Sequence, residues 1–152
     1  MKLQVGDPAP DFKINDQDGN PVKLSSFKGH KVVLYFYPKD MTPGCTAQAC
    51  DLRDNYKILQ KQGYAVLGIS TDDEKSHRKF VDKERLPFQL LADTDKVVHE
   101  KYGTWGEKSM YGRKFMGTLR TTFVIDEKGK IEEIISKVDT KAHTRQILKE
   151  SK

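Results

Sequence analysis

The stretch KVVLYFYPKDMTPGCTAQACDLRD (Lys31 to Asp54) decides the fold. Its first part, KVVLYFY, is a nearly continuous apolar run rich in β-forming residues, which predicts a strand covered on both faces. Its second part predicts a helix. Thr42 is a good N-cap, and Pro43 suits the first helical position, where no N–H is needed. Cys45, Ala49, Leu52, Tyr56 and Leu59 follow at spacings of four and three, so they share one face, and Gly63 closes the helix. YAVLGIS (Tyr64 to Ser70) is a second buried strand. Strand, helix and strand in succession predict a right-handed parallel crossover and an α/β domain.

Outward from this unit, DFKINDQDGNPVKL alternates around Asp18-Gly19-Asn20-Pro21 and predicts an N-terminal hairpin. TDDEKSHRKFVDKERL predicts a second helix, capped by its Thr/Asp start and stopped by Pro87. FQLLAD predicts a short strand and KVVHEKYG a short helix. GTWGEKSMYGRKFMGT (Gly103 to Thr118) is Gly-rich and without period, and reads as a long loop. TTFVIDEKGKIEEIISKV predicts a hairpin around Glu127-Lys128-Gly129, and the tail from Thr140 a weakly amphipathic helix. The expected architecture is one domain over residues 1–152, a three-layer α/β sandwich with a mixed sheet.

The 152 residues carry a net charge of +5. The charges are mixed in sign rather than massed, as in EKSHRKFVDKER, and no nucleic-acid motif is present, so a nucleic-acid role is not expected. MKLQVGDPAPDFK lacks the pattern of a secretory signal, and no window approaches a membrane span. The expected location is the cytoplasm, where thiols are kept reduced. The aromatic run Tyr35-Phe36-Tyr37 and Trp105 read as core.

Cys45 and Cys50 are the only cysteines. A structural pair, half a metal site and a redox couple are the readings to separate. Cys45 falls in the first helical turn, where unpaired N–H groups and the positive end of the dipole favour a thiolate. It also follows the C-terminal end of a strand, the usual place for an α/β active site. Residues five apart in an ideal helix have Cα atoms about 8.7 Å apart, whereas a disulfide needs about 4.4–6.8 Å. The two cysteines therefore cannot bond within an intact helix. An oxidised form would remodel the segment from Thr42 to about Arg53. His30, His77, His99 and His143 are scattered with no zinc-type spacing, so no metal or other cofactor is expected. Cys50 taken alone also fits a small buried hydrophobe.

YPKDMTPGCTAQACDLRD resembles the active-site segment of peroxiredoxins of the bacterioferritin comigratory protein (peroxiredoxin Q) subfamily. VGDPAPDF, WGEKSMYGRKFMG and RTTFVIDEKGKI resemble further segments of the same proteins, so the likeness spans nearly the whole chain. The specific signal is Pro-x-x-x-Thr-x-x-Cys joined to Arg-Thr-Thr-Phe about 75 residues later. The resemblance implies a thioredoxin-like fold, reduction of hydrogen peroxide and organic hydroperoxides, recycling by thioredoxin or a related dithiol reductant, and a monomer. It implies that Cys45 is peroxidatic and that Cys50 resolves it through a Cys45–Cys50 disulfide. It also implies that Thr42 contributes a pocket hydroxyl, Pro38 shields the pocket and Arg120 lies near the thiolate. Many relatives carry Glu three residues after the peroxidatic cysteine; Gln48 here keeps the length without the charge, and reads as a helix residue at the pocket edge. A disulfide reductase would have no use for the pocket threonine, and a non-enzymatic redox sensor would form sulfenic acid without efficient turnover by thioredoxin.

Magnitudes call for a nearby permanent cation, and Arg120 is the candidate. Bringing a thiol from a pKa of ~8.5 to about 6 takes roughly 3.4 kcal/mol, and a helix terminus supplies ~0.3–1 kcal/mol, or up to ~2 when partly buried. A permanent cation has to provide the rest.

Overall fold

The computed structural model describes residues 3–149. Strand β3 (Lys31–Phe36) is the middle of a five-stranded sheet, and its residues alternate between two cores. Val33, Tyr35 and Tyr37 face one; Val32, Leu34 and Phe36 face the other. β4 (Tyr64–Ser70) and β5 (Gln89–Ala92) extend the sheet in parallel on one side of β3. β8 (Thr121–Ile125) and β9 (Ile131–Ile135) extend it antiparallel on the other. The spatial order is β5-β4-β3-β8-β9.

One core holds the buried faces of α1 (Pro43–Asp54), α2 (Tyr56–Lys61), α3 (Glu74–Glu84) and α5 (His143–Leu148). The opposite core holds Phe12, Val22 from the hairpin strand β2 (Pro21–Lys23), Leu24 of a 3₁₀ turn (Leu24–Phe27), and α4 (Val97–Tyr102). β2 pairs antiparallel with β1 (Lys13–Asn15), as the N-terminal alternation predicts. The result is the expected three-layer sandwich with a mixed sheet and an N-terminal hairpin. No helix among the described residues is long and apolar enough to cross a membrane.

Several local expectations hold with their chemistry. Asp73 caps α3, its carboxylate accepting from Ser76 N–H at 2.8 Å. α4 ends at Gly103 in the left-handed region (φ 69°), which glycine enters without a Cβ clash. Gly68 in β4 is a packing requirement: a Cβ there would lie 2.7 Å from Leu90 Cδ2 and 2.8 Å from Tyr35 Cζ.

Three expectations need correction. The helix of Pro43 does not run unbroken to Gly63. It breaks at Asn55 (φ −110°, ψ 15°), whose side-chain amide donates to Asp51 O at 2.8 Å beside the longer backbone bond to the same carbonyl at 3.2 Å. The tail helix begins at His143 rather than Thr140, and residues 150–152 of the expected helix lie outside the described residues. The largest difference is Gly103 to Thr118, which is not a loop. β6 (Trp105–Met110) and β7 (Arg113–Thr118) form a separate antiparallel hairpin. Its turn, Tyr111-Gly112, has positive φ at both residues (53° and 78°), as two-residue hairpin turns prefer. Met110, Tyr111, Phe115 and Met116 stay exposed, so the outer part of the hairpin buries no face and the strands carry no period-2 pattern.

Candidate active site

Two chain segments far apart in sequence meet at one end of the sheet. β3 runs into the loop that starts α1, while β8 runs antiparallel to β3, with Phe36 opposite Thr121. The start of β8 therefore lies beside the end of β3, and Arg120, the residue before β8, is delivered to the first turn of α1. Its Nη2 lies 3.3 Å from Cys45 Sγ and its Nη1 donates to Gln48 Oε1 at 2.6 Å. A Cβ on Gly44 would sit 3.4 Å from Nη2, so the guanidinium crosses the first turn at contact distance.

Cys45 is 1% exposed and belongs to the core shared with Tyr35, Ala49 and Leu52. The first intrahelical bond of α1 joins Thr46 N–H to Thr42 O at 2.8 Å, and the Gly44 and Cys45 amides precede it. Helix geometry leaves those amides without a carbonyl partner in the helix. An anion at the sulfur thus meets a fixed guanidinium and the positive end of α1.

Thr42 occupies the N-cap with extended backbone, as expected, but its hydroxyl does not cap the helix. It donates to Lys39 O at 2.8 Å instead, and the helix makes no use of its lone pairs. Pro38 is half-buried in the same loop. That loop is held by a network that the motif reading did not include. Asp40, buried, accepts from Tyr37 Oη (2.6 Å) and Ser76 Oγ (2.8 Å) and faces His77 Nδ1 (2.7 Å); its own N–H donates to Asp72 Oδ2 (2.8 Å). His77 Nε2 faces only the Leu91 carbonyl, at 2.9 Å, so it must donate. Nδ1 faces the Asp40 carboxylate across the 2.7 Å contact. Asp40, Asp72 and His77 bring three potential ligand atoms within 4.8 Å, but hydrogen bonds engage all three residues. Met41, next in the loop, adopts φ 64°.

Gln48 is not at a pocket edge. It is 0% exposed, and while its Oε1 holds Arg120, its Nε2 has no partner among the described residues. Cys50 points away from this cluster. It is half-buried, and its thiol donates to Glu84 Oε1 at 3.4 Å across to α3. Burial first, and then that hydrogen bond, push the Cys50 thiol above its ordinary value, against the pull of Arg53. Glu84 was hidden in a run of alternating charges that reads as a solvated helix face.

A cavity of about 710 Å³ opens on the other side of Arg120, lined in part by Tyr102, Lys108, Leu119, Phe123 and Ile134. Burial, and then the charge of Arg120, push the Lys108 ammonium below its ordinary value. Sequence reasoning missed Lys108 because its strand was read as loop. Tyr35, Phe36 and Tyr37 are core, as expected. Trp105 is half-buried, edge-on to His99, with Lys96 Nζ 5.0 Å from its ring centre.

A reduced thiol at a helix start, beneath a guanidinium and on a mixed sheet between helical layers, defines a thiol-based oxidoreductase of the thioredoxin-like class. Residues 5–134 match the AhpC/TSA family. The chain is 51% identical to peroxiredoxin Bcp of Escherichia coli K12 over 141 residues, covering 93% of this chain and 90% of that one. The crystal structure of peroxidoxin BcpB from Mycobacterium tuberculosis superposes with a TM-score of 0.86 at 37% identity, covering 97% and 95% of the two chains. The bacterioferritin comigratory protein of Xanthomonas campestris, described for its alkyl peroxide reduction activity, gives 0.85 at 33% identity and covers 91% and 88%. The chain belongs to the AhpC/TSA family, in its bacterioferritin comigratory (peroxiredoxin Q) branch, and is a thiol peroxidase that takes a hydroperoxide as substrate and a thiol as reductant.

Proposed function

We propose that Cys45 is the peroxidatic cysteine and Cys50 its resolving partner. The observation that carries the assignment is the 3.3 Å approach of Arg120 Nη2 to Cys45 Sγ at the start of α1. The Cys45 thiolate attacks one oxygen of ROOH, the O–O bond breaks, and ROH leaves with a proton, so sulfur is oxidised to Cys45–SOH. Arg120, the Cys45 amide and the Thr42 hydroxyl stabilise the charge that develops on the leaving oxygen, and Pro38 shields the pocket. Cys50–SH then attacks Cys45–SOH, forming the disulfide and releasing water. Both cysteines lie in one unbroken helix, so the start of α1 must unwind before the sulfurs meet.

A disulfide that closes within one helix needs no second subunit, which supports a monomer. It presents an external dithiol with an unwound segment, which supports thioredoxin or a related protein as the reductant. The substrates are hydrogen peroxide and organic hydroperoxides. The chain works as one domain over residues 1–152, in the cytoplasm, where a reducing pool keeps both thiols ready.

The test is NADPH consumption coupled through thioredoxin and its reductase, with hydrogen peroxide or an alkyl hydroperoxide. Cys45→Ser abolishes turnover. Cys50→Ser consumes one peroxide per chain and then stalls. Full-speed cycling of Cys50→Ser with thioredoxin would remove the resolving role from Cys50.

A further inference from the structure

The second thiol is built into a contact of its own. Cys50 lies on the outer side of α1, away from Cys45, and donates to Glu84 Oε1 at 3.4 Å. Glu84 is the last residue of α3, and Arg53, one turn along α1 from Cys50, binds the same position twice. Its Nη1 donates to the Glu84 carbonyl at 2.7 Å and lies 3.8 Å from Oε1. The Glu84 side chain is only 19% exposed, so these contacts are sheltered from water. Resolution nevertheless requires Cys50 to leave this place, because helix geometry holds it too far from Cys45.

We propose that Glu84 is a positioning residue for the resolving cysteine: its carboxylate holds Cys50 as a thiol on the outer side of α1 and so restrains the unwinding that disulfide formation requires. The inference rests on the roles assigned to Cys45 and Cys50 above. The groups acting on the Cys50 sulfur are Glu84 from α3 and Arg53 and Asp54 from α1. Among the carboxylates, Glu84 makes the direct contact. When α1 unwinds, the Cys50–Glu84 bond breaks, Cys50–SH reaches Cys45–SOH, the S–S bond forms and water leaves. Every hydrogen bond to a charged group that must break first lowers the population of the unwound state. Cys45–SOH then waits longer, exposed to a second peroxide that would carry it to the sulfinic acid. Glu84 thereby sets the peroxide level at which the enzyme overoxidises.

The test compares the full-length protein with Glu84→Gln, which keeps length and an acceptor but not the charge, and with Glu84→Ala. In a Cys45→Ser background, the pH profile of Cys50 alkylation reads the contact without any peroxide chemistry. The midpoint moves down in Glu84→Gln. In the otherwise unmodified chain, rapid mixing with hydrogen peroxide reads conversion of sulfenic acid to disulfide, which becomes about tenfold faster in Glu84→Gln. The peroxide concentration that overoxidises half of Cys45 rises by the same factor. Glu84→Ala matches or exceeds both effects. An unmoved alkylation midpoint overturns the proposal, and so does slower resolution, which would make the carboxylate a proton acceptor for the attacking thiol. A parent chain that forms no Cys45–Cys50 disulfide with peroxide would instead defeat the assigned roles, and the alkylation profile would still decide whether Glu84 holds the thiol.

Discussion

Cys45 and Cys50 share a helix and lie five residues apart, yet their surroundings are opposite. Cys45 is buried at the helix start beneath the Arg120 guanidinium. Cys50 is half-buried on the outer side and donates to the Glu84 carboxylate. The first sulfur faces a cation, and the second donates to an anion. Two residues of one type, on one element, thus acquire different surroundings from partners just before β8 and at the end of α3. A thiol that attacks first should be ionised and sheltered, and one that must wait should be neutral and tethered.

Removing the cation should break this contrast most severely. Arg120→Ala lowers the rate of sulfenic acid formation by about 10²–10³, the scale of losing a preorganised charge at the reacting centre. Arg120→Lys recovers little, because one ammonium cannot hold Gln48 Oε1 and approach Cys45 Sγ as the planar fork does. Stopped-flow single-turnover kinetics measure both; a loss below tenfold would leave the helix terminus as the main activator.

Gln48→Glu sharpens the comparison by placing a carboxylate on the same guanidinium. The charge draws Arg120 from the sulfur, and the expected result is a roughly fivefold slower reaction with peroxide. A faster reaction would mean that the position orients Arg120 rather than competing for it.

The pH dependence of Cys50 comes next. Burial and Glu84 raise its pKa, so the thiol form persists to higher pH than in a free cysteine. Its alkylation midpoint in Cys45→Ser should lie above the ordinary ~8.5. A midpoint at or below that value would erase the contrast between the two sulfurs.

The smallest effect concerns Tyr35, whose ring is buried in the core with Cys45 and whose hydroxyl has no partner among the described residues. Burial, and then the charges of Cys45 and Asp40, push its ionisation far out of reach. Tyr35→Phe removes an unpaired polar atom and should stabilise the protein by about 1 kcal/mol in urea unfolding. A loss of stability of that size would show that the hydroxyl is satisfied in solution.

The sandwich was legible because its signals are local. The double-sided apolar run of Lys31–Phe36, the 4-3-4-3 stripe from Cys45 to Leu59 and the Asp73 cap each arise from residues close in sequence. The β6–β7 hairpin was not, since a ladder whose tip faces solvent leaves no alternation to read; the Tyr111-Gly112 turn was the one clue. Arg120 was found through the motif around it. Gln48 was noticed for its missing charge, but its complete burial was not foreseen, and Glu84 gave no sign at all.

Read alone, the order of residues determined that a cysteine would open a helix at the carboxyl end of a buried strand, and that its neighbour five positions on could not reach it without unwinding. Those are consequences of helical pitch and the alternation of strand faces, which need nothing beyond the segment itself. Which charge each sulfur meets was decided only in three dimensions. Antiparallel pairing of β8 with β3 brings Arg120 to one thiol, and packing of α1 beside α3 brings Glu84 to the other. Contacts between distant segments depend on how whole elements stack, and no local spacing encodes that.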